Sequence, residues 1–178
     1  MCPKGRYTIM KSEMKQKIRA GTLITAILIP ALIGAFSAFL TSGDMTVYEE
    51  YTRPFLAPPG WLFPIVWTIL YVMMGWASYL VFVAEADADA KRKALMLYGI
   101  QLLMNFFWST LFFTYNRFLI ALIWLLVMWA VIFICGIKFL KIRRAAGLMM
   151  GVLFLWTTFA AYLNLSYYLL SIKPMPLG

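Results

Sequence analysis

The sequence predicts an all-α integral membrane protein that folds as a bundle of five transmembrane helices. Three observations predict this class: 63% of the 178 residues are hydrophobic, only 13% are charged, and five long apolar runs contain no charged residue. A soluble domain carries about 25% charged residues, so this composition indicates a lipid environment. Because no polar stretch is long enough to form a second domain, we expect one membrane domain.

The five apolar runs set the predicted helices. A bilayer core of about 30 Å requires about 20 apolar residues in helical conformation. The predicted helices cover residues 20–41, 61–84, 94–115, 118–137 and 145–172. They form a membrane domain over 20–172, between a basic N-terminal arm at 1–19 and a C-terminal tail at 173–178.

The first apolar run could also be interpreted as a signal peptide. It follows a basic segment, and Ala35-Phe36-Ser37 resembles a cleavage site. However, the run is longer than the 7–15 residues of a signal-peptide core. Its length therefore favours a retained first helix.

The basic residues predict the orientation. Thirteen of the sixteen Lys and Arg lie in three segments, at 4–19, 91–93 and 138–144. These segments flank alternate helix ends, which is the positive-inside pattern. We therefore expect a multi-pass plasma-membrane protein with a cytoplasmic N-terminus and an outer C-terminus. A nucleic acid partner is not expected, because it would require basic residues on one face.

Residues 42–60, called the strap below, form the one long predicted loop. The strap ends in the proline-rich stretch 54–60, and proline restricts the backbone to extended geometry. A stiff segment beside the outer mouth of the bundle is typical of a lid. A simple connector between two helices is an equally good interpretation of the local sequence.

The sequence lacks the residue types that metal sites and ion-coupled transport require. It contains no His, and Cys2 and Cys135 are its only cysteines. No ionisable residue lies within a predicted span, which argues against a proton relay or coupling carboxylate. We therefore predict no metal site and no required cofactor.

Aromatic and amide side chains recur on single faces of four predicted helices. Amides are costly against lipid, so Gln101, Asn105 and Asn164 should point into the bundle. Their faces would bring several aromatic residues inward with them. The inward stripes contain Trp67 and Tyr71 in helix two, Gln101, Asn105 and Trp108 in helix three, Trp124 in helix four, and Trp156, Ala160 and Asn164 in helix five.

These stripes have two interpretations. They could wall a cavity for a planar apolar ligand, because stacked aromatic pairs contribute about 0.5–1.5 kcal/mol beyond area burial. Alternatively, the amides tie helices together and the indoles fill space, a role that neutral polar residues often have in membranes.

Three separated motifs resemble the TspO/MBR family (tryptophan-rich sensory protein and translocator protein). They are Arg53-Pro54 with Pro58-Pro59-Gly60-Trp61 and the start of helix two, Gln101 to Ser109, and Trp156 to Asn164. The resemblance implies a five-helix bundle, usually a homodimer, that binds tetrapyrroles such as protoporphyrin IX and haem. Sterol-like ligands are also implied by mitochondrial relatives.

The resemblance also implies a pocket beneath the first loop. Carried over by matching position, it would use Tyr48, Trp67, Tyr71, Gln101, Asn105, Trp124, Trp156 and Ala160. We therefore expect a membrane receptor, carrier or sensor for tetrapyrroles. The alternatives are an enzyme for light- and oxygen-dependent degradation of protoporphyrin IX, using Trp67 and Trp156, and an assembly partner without a small ligand.

The chain departs from the family pattern at three places. Leu56 stands where the family often has tryptophan, and Val47 stands in a pair that is often Trp-Tyr. Val152 and Leu153 occupy positions where the family commonly has Pro-Tyr. These departures leave the bend of helix five and the ligand preference open.

Overall fold

The computed structural model describes residues 4–41 and 54–172, with side chains from residue 19 onward. Five helices in these ranges are long and apolar enough to cross a membrane, which confirms the predicted fold class. The helices are α1 (Lys4–Thr41), α2 (Leu62–Phe82), α3 (Ala88–Ser109), α4 (Phe118–Ile142) and α5 (Arg144–Ser171). A π-helical turn, Thr110–Thr114, follows α3.

Three helices extend beyond their predicted ends because charged residues continue them outside the apolar core. The helix α1 begins at Lys4, and its apolar part begins at Arg19. The helix α3 begins at Ala88 instead of Ala94, because the Asp87 carboxylate caps it by accepting from Ala90 N at 2.8 Å. The helix α4 continues to Ile142 instead of Ile137, and basic side chains suit its C-terminal turns.

The two short connections match their local backbone geometry. Asn116 has φ 50°, a left-handed conformation that Asn tolerates better than most residues, and it reverses the chain between α3 and α4. Arg143 alone separates α4 from α5, with an extended φ of −147°. The short connection at Asn116-Arg117 makes α3 and α4 neighbours, and the two helices pack together.

The helices form a ring in the order α1, α2, α5, α4, α3. The largest contacts join α4 to α5 and α1 to α2, and α3 packs mainly on α4. The contact between α1 and α3 is smaller, so the ring is most open along the seam where these two helices meet. Both cavities described below lie along this seam, beside α2.

Glycines allow two close contacts between helix backbones. A Cβ on Gly75 would lie 2.5 Å from Ala26 O, so α2 touches the backbone of α1 there. A Cβ on Gly147 would lie 2.5 Å from Leu140 Cα, so α5 touches the backbone of α4. Gly147 and Gly151, four residues apart, form a small-residue packing motif of α5. Only Gly147 makes a close approach within the chain, because a Cβ on Gly151 would meet nothing within 4 Å.

Candidate functional site

A cavity of about 330 Å³ lies at the end of the bundle where the strap joins α1 to α2. Thr41 is the last residue of α1, and Phe63 and Pro64 lie in the first turn of α2. The lining comes from three helices: Gly34, Ser37, Ala38 and Thr41 of α1, Phe63, Pro64, Trp67 and Tyr71 of α2, and Ser109 and Phe113 at the end of α3. The volume falls within the range of small-molecule pockets.

The α1 wall of the cavity consists of small residues on one helix face. Gly34, Ser37, Ala38 and Thr41 follow the spacing i, i+3, i+4 and i+7. The Thr41 hydroxyl donates to Ser37 O at 3.0 Å. By contrast, the buried Ser37 hydroxyl has no hydrogen-bond partner among the described residues. The small residues of this wall therefore leave room in the cavity, and Ser37 presents one hydroxyl without a hydrogen-bond partner among the described residues.

The α2 wall is aromatic. Trp67 and Tyr71 lie one turn apart, with ring centroids 5.7 Å apart and an interplanar angle of 32°. The Tyr71 ring packs directly on Gly34, since a Cβ at position 34 would overlap it at 2.1 Å. The absence of a side chain at Gly34 thus gives the Tyr71 ring room to pack against α1 beside the cavity.

Two predicted amide residues lie directly behind this wall. The Tyr71 hydroxyl donates to Asn105 Oδ1 at 3.2 Å, and Asn105 is only 1% exposed. Gln101 is fully buried one turn earlier and donates from Nε2 to Met74 Sδ at 3.6 Å. Asn105 Nδ2 and Gln101 Oε1 have no partner among the described residues. The prediction that these amides point into the bundle is confirmed.

A second group of predicted residues ties α3, α4 and α5 together. Trp108 Nε1 donates to Asn164 Oδ1 at 3.3 Å, and Asn164 Nδ2 donates to Phe118 O at 2.8 Å. Trp124 Nε1 donates to Met104 O at 2.8 Å. None of these side chains lines the cavity, so they have the tying role that the sequence left open as an alternative.

Trp108 does not line the cavity, but it packs against Trp67, which does. Its ring lies 6.3 Å from that of Trp67, at an interplanar angle of 40°. The aromatic wall is therefore backed by a second indole whose position is fixed by Asn164. Such support holds the side chains of a binding wall in place.

Trp156 and Ala160 lie on α5 and do not line the cavity. The Trp156 ring packs edge-on against the Phe63 ring at 6.0 Å, and its buried Nε1 has no partner among the described residues. Ala160 is buried, one turn after Trp156. Trp156 therefore contacts a residue of the cavity wall, Phe63, without lining the cavity itself.

The described part of the strap is anchored to α5. The Tyr162 hydroxyl donates to Phe55 O at 2.6 Å, and Leu56 has a left-handed φ of 68°. A non-glycine residue in this conformation costs free energy, so surrounding contacts must hold it. Tyr48, the strap residue predicted to bind ligand, lies outside the described residues, and the choice between lid and connector stays a prediction.

The predicted site residues did not include the α1 wall, Phe63 and Pro64 of α2, or the lining residues that follow Trp108. The signal for α1 was present, because Gly34 and Ala38 form a small-residue motif and Ser37 and Thr41 share their face. Ser109 and Phe113 enter the lining where α3 changes to the π-helical turn. Such turns occur often at functional sites, but the sequence gives no pattern for them.

The fold and the cavity together define a multi-pass membrane protein with an aromatic cavity among its helices. The chain belongs to the TspO/MBR family, whose sequence model matches residues 26–169. This finding confirms the resemblance drawn from the three motifs.

Individual relatives from bacteria, archaea and mammals support this assignment. The tryptophan-rich protein TspO of Chlorobaculum tepidum is 33% identical over 130 residues, covering 73% of this chain and 82% of the relative. The TspO protein of Archaeoglobus fulgidus is 32% identical over 150 residues, covering 84% and 96%. The translocator protein of Bos taurus is 29% identical over 140 residues, covering 77% and 82%.

Proposed function

We propose that this protein binds tetrapyrroles such as protoporphyrin IX and haem in the cavity beside the strap, and acts as a membrane receptor, carrier or sensor for them. The observation that carries the proposal is the pair Trp67 and Tyr71, which presents two aromatic rings to a cavity bounded on its other side by small residues. A flat apolar ligand would stack on the rings while its opposite face meets Gly34 and Ala38.

The cavity also offers polar groups for the edge of such a ligand. The Ser37 hydroxyl is buried without a partner, and Thr41 and Ser109 add two more hydroxyls to the lining. A carboxylate at the edge of a tetrapyrrole can accept hydrogen bonds from Ser37 and Ser109, whereas the Thr41 hydroxyl already donates to Ser37 O. Because a buried unpaired hydroxyl costs free energy, a ligand that satisfies Ser37 recovers that cost.

The names of the relatives are consistent with several uses of a bound ligand. One relative is a tryptophan-rich sensory protein from Cereibacter sphaeroides, and others are translocator proteins from mammals. We propose the plasma membrane as the location, with the basic bundle end in the cytoplasm and a homodimer as the assembly. The basic segments at one end of the bundle support this orientation.

The test is a titration of the detergent-solubilised protein with protoporphyrin IX, followed by the absorbance of the porphyrin. Replacing Trp67 by Ala should lower the affinity about two- to twelvefold, the equivalent of about 0.5–1.5 kcal/mol of lost stacking. Trp76→Ala is the matched control, because Trp76 lies on the same helix and is exposed toward lipid. Equal affinities for the two variants would contradict the proposed site.

Light-dependent degradation of protoporphyrin IX is the second candidate, favoured by one observation. Trp67 lines the cavity, so a redox-active indole would touch a bound porphyrin. Illuminating the complex in air should then give a distinct product that Trp67→Phe suppresses. Bleaching at the same rate with and without protein would exclude this activity and leave the binding proposal unaffected.

A further inference from the structure

A second cavity, of about 410 Å³, lies at the opposite end of the seam between α1, α2 and α3. It is mainly apolar and carries four hydroxyl-bearing residues besides Tyr79. Its lining consists of Thr22, Thr25, Ala26 and Ile29 of α1, Ser78, Tyr79 and Phe82 of α2, and Leu95 and Tyr98 of α3. It therefore lies where α2 ends and α3 begins, at the basic end of the bundle.

The two cavities are separate because α1 and α2 touch between them. Gly75 packs against the backbone of Ala26 and Ile27, and the Tyr71 ring packs against Gly34. On α2 these residues lie between Trp67 of the first cavity and Ser78 of the second. A ligand bound in one cavity therefore does not extend into the other cavity.

The second cavity contains a buried hydroxyl that lacks a partner. Tyr98 is 8% exposed, and its hydroxyl makes no hydrogen bond among the described residues. Ser78 lies close to Tyr98, but its hydroxyl donates to Gly75 O at 2.8 Å. The Thr25 hydroxyl likewise donates to Gly21 O at 3.0 Å. Because the Tyr98 hydroxyl has no partner among the described residues, its proton is available to an outside acceptor.

A basic pocket adjoins the second cavity. A smaller pocket of about 270 Å³, lined by Phe82, Ala88, Lys91, Arg92 and Leu95, shares Phe82 and Leu95 with the second cavity. Lys91 Nζ donates to Ala84 O at 3.0 Å, which holds the ammonium group at the end of α2. Arg92 pairs with Asp89 at 2.7 Å and remains largely exposed. The second cavity and this pocket together, called the groove below, therefore place an apolar surface beside two cationic side chains.

The charge around this opening is positive overall. The described residues at this end of the bundle include eight basic and three acidic side chains: Arg19, Lys91, Arg92, Lys93, Lys138, Lys141, Arg143 and Arg144 against Glu85, Asp87 and Asp89. Basic pockets between transmembrane helices bind anionic lipid head groups, with about 1 kcal/mol per basic residue near the surface. The charge complements an anionic ligand that enters from the bilayer.

We propose that this groove binds one anionic phospholipid. The head-group phosphate contacts Lys91 and Arg92, and one acyl chain lies in the groove between α1 and α3. The Tyr98 hydroxyl donates to an ester carbonyl of the lipid. Helical side chains lean toward the helix N-terminus, and Lys91 and Arg92 lie N-terminal to Tyr98 on α3, which supports this placement.

Native mass spectrometry of the solubilised protein with an equal mixture of phosphatidylglycerol and phosphatidylethanolamine tests the proposal. The wild-type protein should retain one phosphatidylglycerol molecule in preference to phosphatidylethanolamine. Arg92→Gln should reduce that retention about fivefold, the ratio equivalent to one lost basic contact. Asp89 keeps its ion pair with Lys93 in this variant, so the helix start should remain intact. Arg144→Gln is the control for a charge lost at the same end but outside the groove.

A second pair of variants tests the acyl-chain position. Thr25→Phe places a ring in the groove and should reduce retention of both lipids, while Ile24→Phe, on the exposed face of α1, should not. Equal retention by Arg92→Gln and Arg144→Gln, or unchanged retention by Thr25→Phe, would overturn the proposal. Titration of the same variants with protoporphyrin IX should match the wild type, so this test is independent of the proposed function.

Discussion

Gly75 of α2 lies against the carbonyl group of Ala26 in α1, so close that a Cβ on Gly75 would come within 2.5 Å of the oxygen. Pro30 lies four residues after Ala26 in the same helix and has no N–H to donate to that carbonyl. The proline thus frees the carbonyl from its usual helical partner, and the glycine lets the neighbouring helix cover it. This contact separates the two cavities.

Gly75→Ala should destabilise the protein, because the added methyl group overlaps backbone atoms that cannot move independently. Overpacking of this kind costs about 1–3 kcal/mol. Gly99→Ala is the control, because nothing lies within 4 Å of its Cβ position and alanine is the better helix former. Thermal unfolding in detergent should show a lower midpoint for the first variant only. Equal midpoints would contradict the described contact between α1 and α2.

The two glycines of the α5 packing motif should respond differently to the same substitution. Gly147→Ala would overlap Leu140 of α4 and lower the unfolding midpoint, whereas Gly151→Ala should leave it unchanged or raise it. Comparing both variants by thermal unfolding checks this difference. A larger decrease in the unfolding midpoint for Gly151→Ala than for Gly147→Ala would contradict this packing. It would show that the close contact is made at Gly151 or between subunits.

Tyr71→Phe should lower the stability of the protein while keeping an aromatic ring in the cavity wall. The substitution leaves Asn105 Oδ1 buried without a donor, which costs about 1–3 kcal/mol in the free energy of unfolding. Tyr115→Phe removes an exposed hydroxyl and should have little effect. A double-mutant cycle with Asn105→Leu gives the coupling between the two residues. Additive effects would show that the Tyr71 hydroxyl and the Asn105 side chain do not interact.

Protoporphyrin IX and haem should bind with similar affinity. The described lining contains no histidine, cysteine or methionine, and its one tyrosine hydroxyl is engaged with Asn105. Stacking depends on the macrocycle and not on iron, so iron should contribute little. Parallel titrations with the two molecules test this expectation. A preference for haem greater than about tenfold, or about 1.4 kcal/mol, would indicate iron ligation and contradict it.

The fold could be predicted from sequence because lipid imposes one dominant rule. Each span needs a long apolar run, so the five runs identified the five helices even though their ends moved. The ends were harder, since Lys138 and Lys141 interrupt the apolar pattern of α4 without interrupting its backbone hydrogen bonds. Long basic side chains reach water from within a helix end, which hydropathy does not register.

The candidate site was predictable only in part. Indoles and amides gave a signal because they are costly or distinctive in a membrane, and Trp67 and Tyr71 do line the cavity. The pattern could not distinguish a lining residue from a helix tie such as Asn164, because both face inward. The α1 wall was missed because its defining property is the absence of bulk at Gly34 and Ala38, which a search for chemical groups does not detect.

Filling the first cavity with a bulky side chain tests most directly whether tetrapyrroles bind there. Ser37→Phe places a ring in the cavity, and Ala35→Phe places the same ring on the exposed face of α1. Protoporphyrin IX should bind Ser37→Phe at least about tenfold more weakly than wild type, a loss of about 1.4 kcal/mol, and Ala35→Phe with unchanged affinity. Wild-type affinity in a folded Ser37→Phe variant would show that tetrapyrroles do not bind in this cavity.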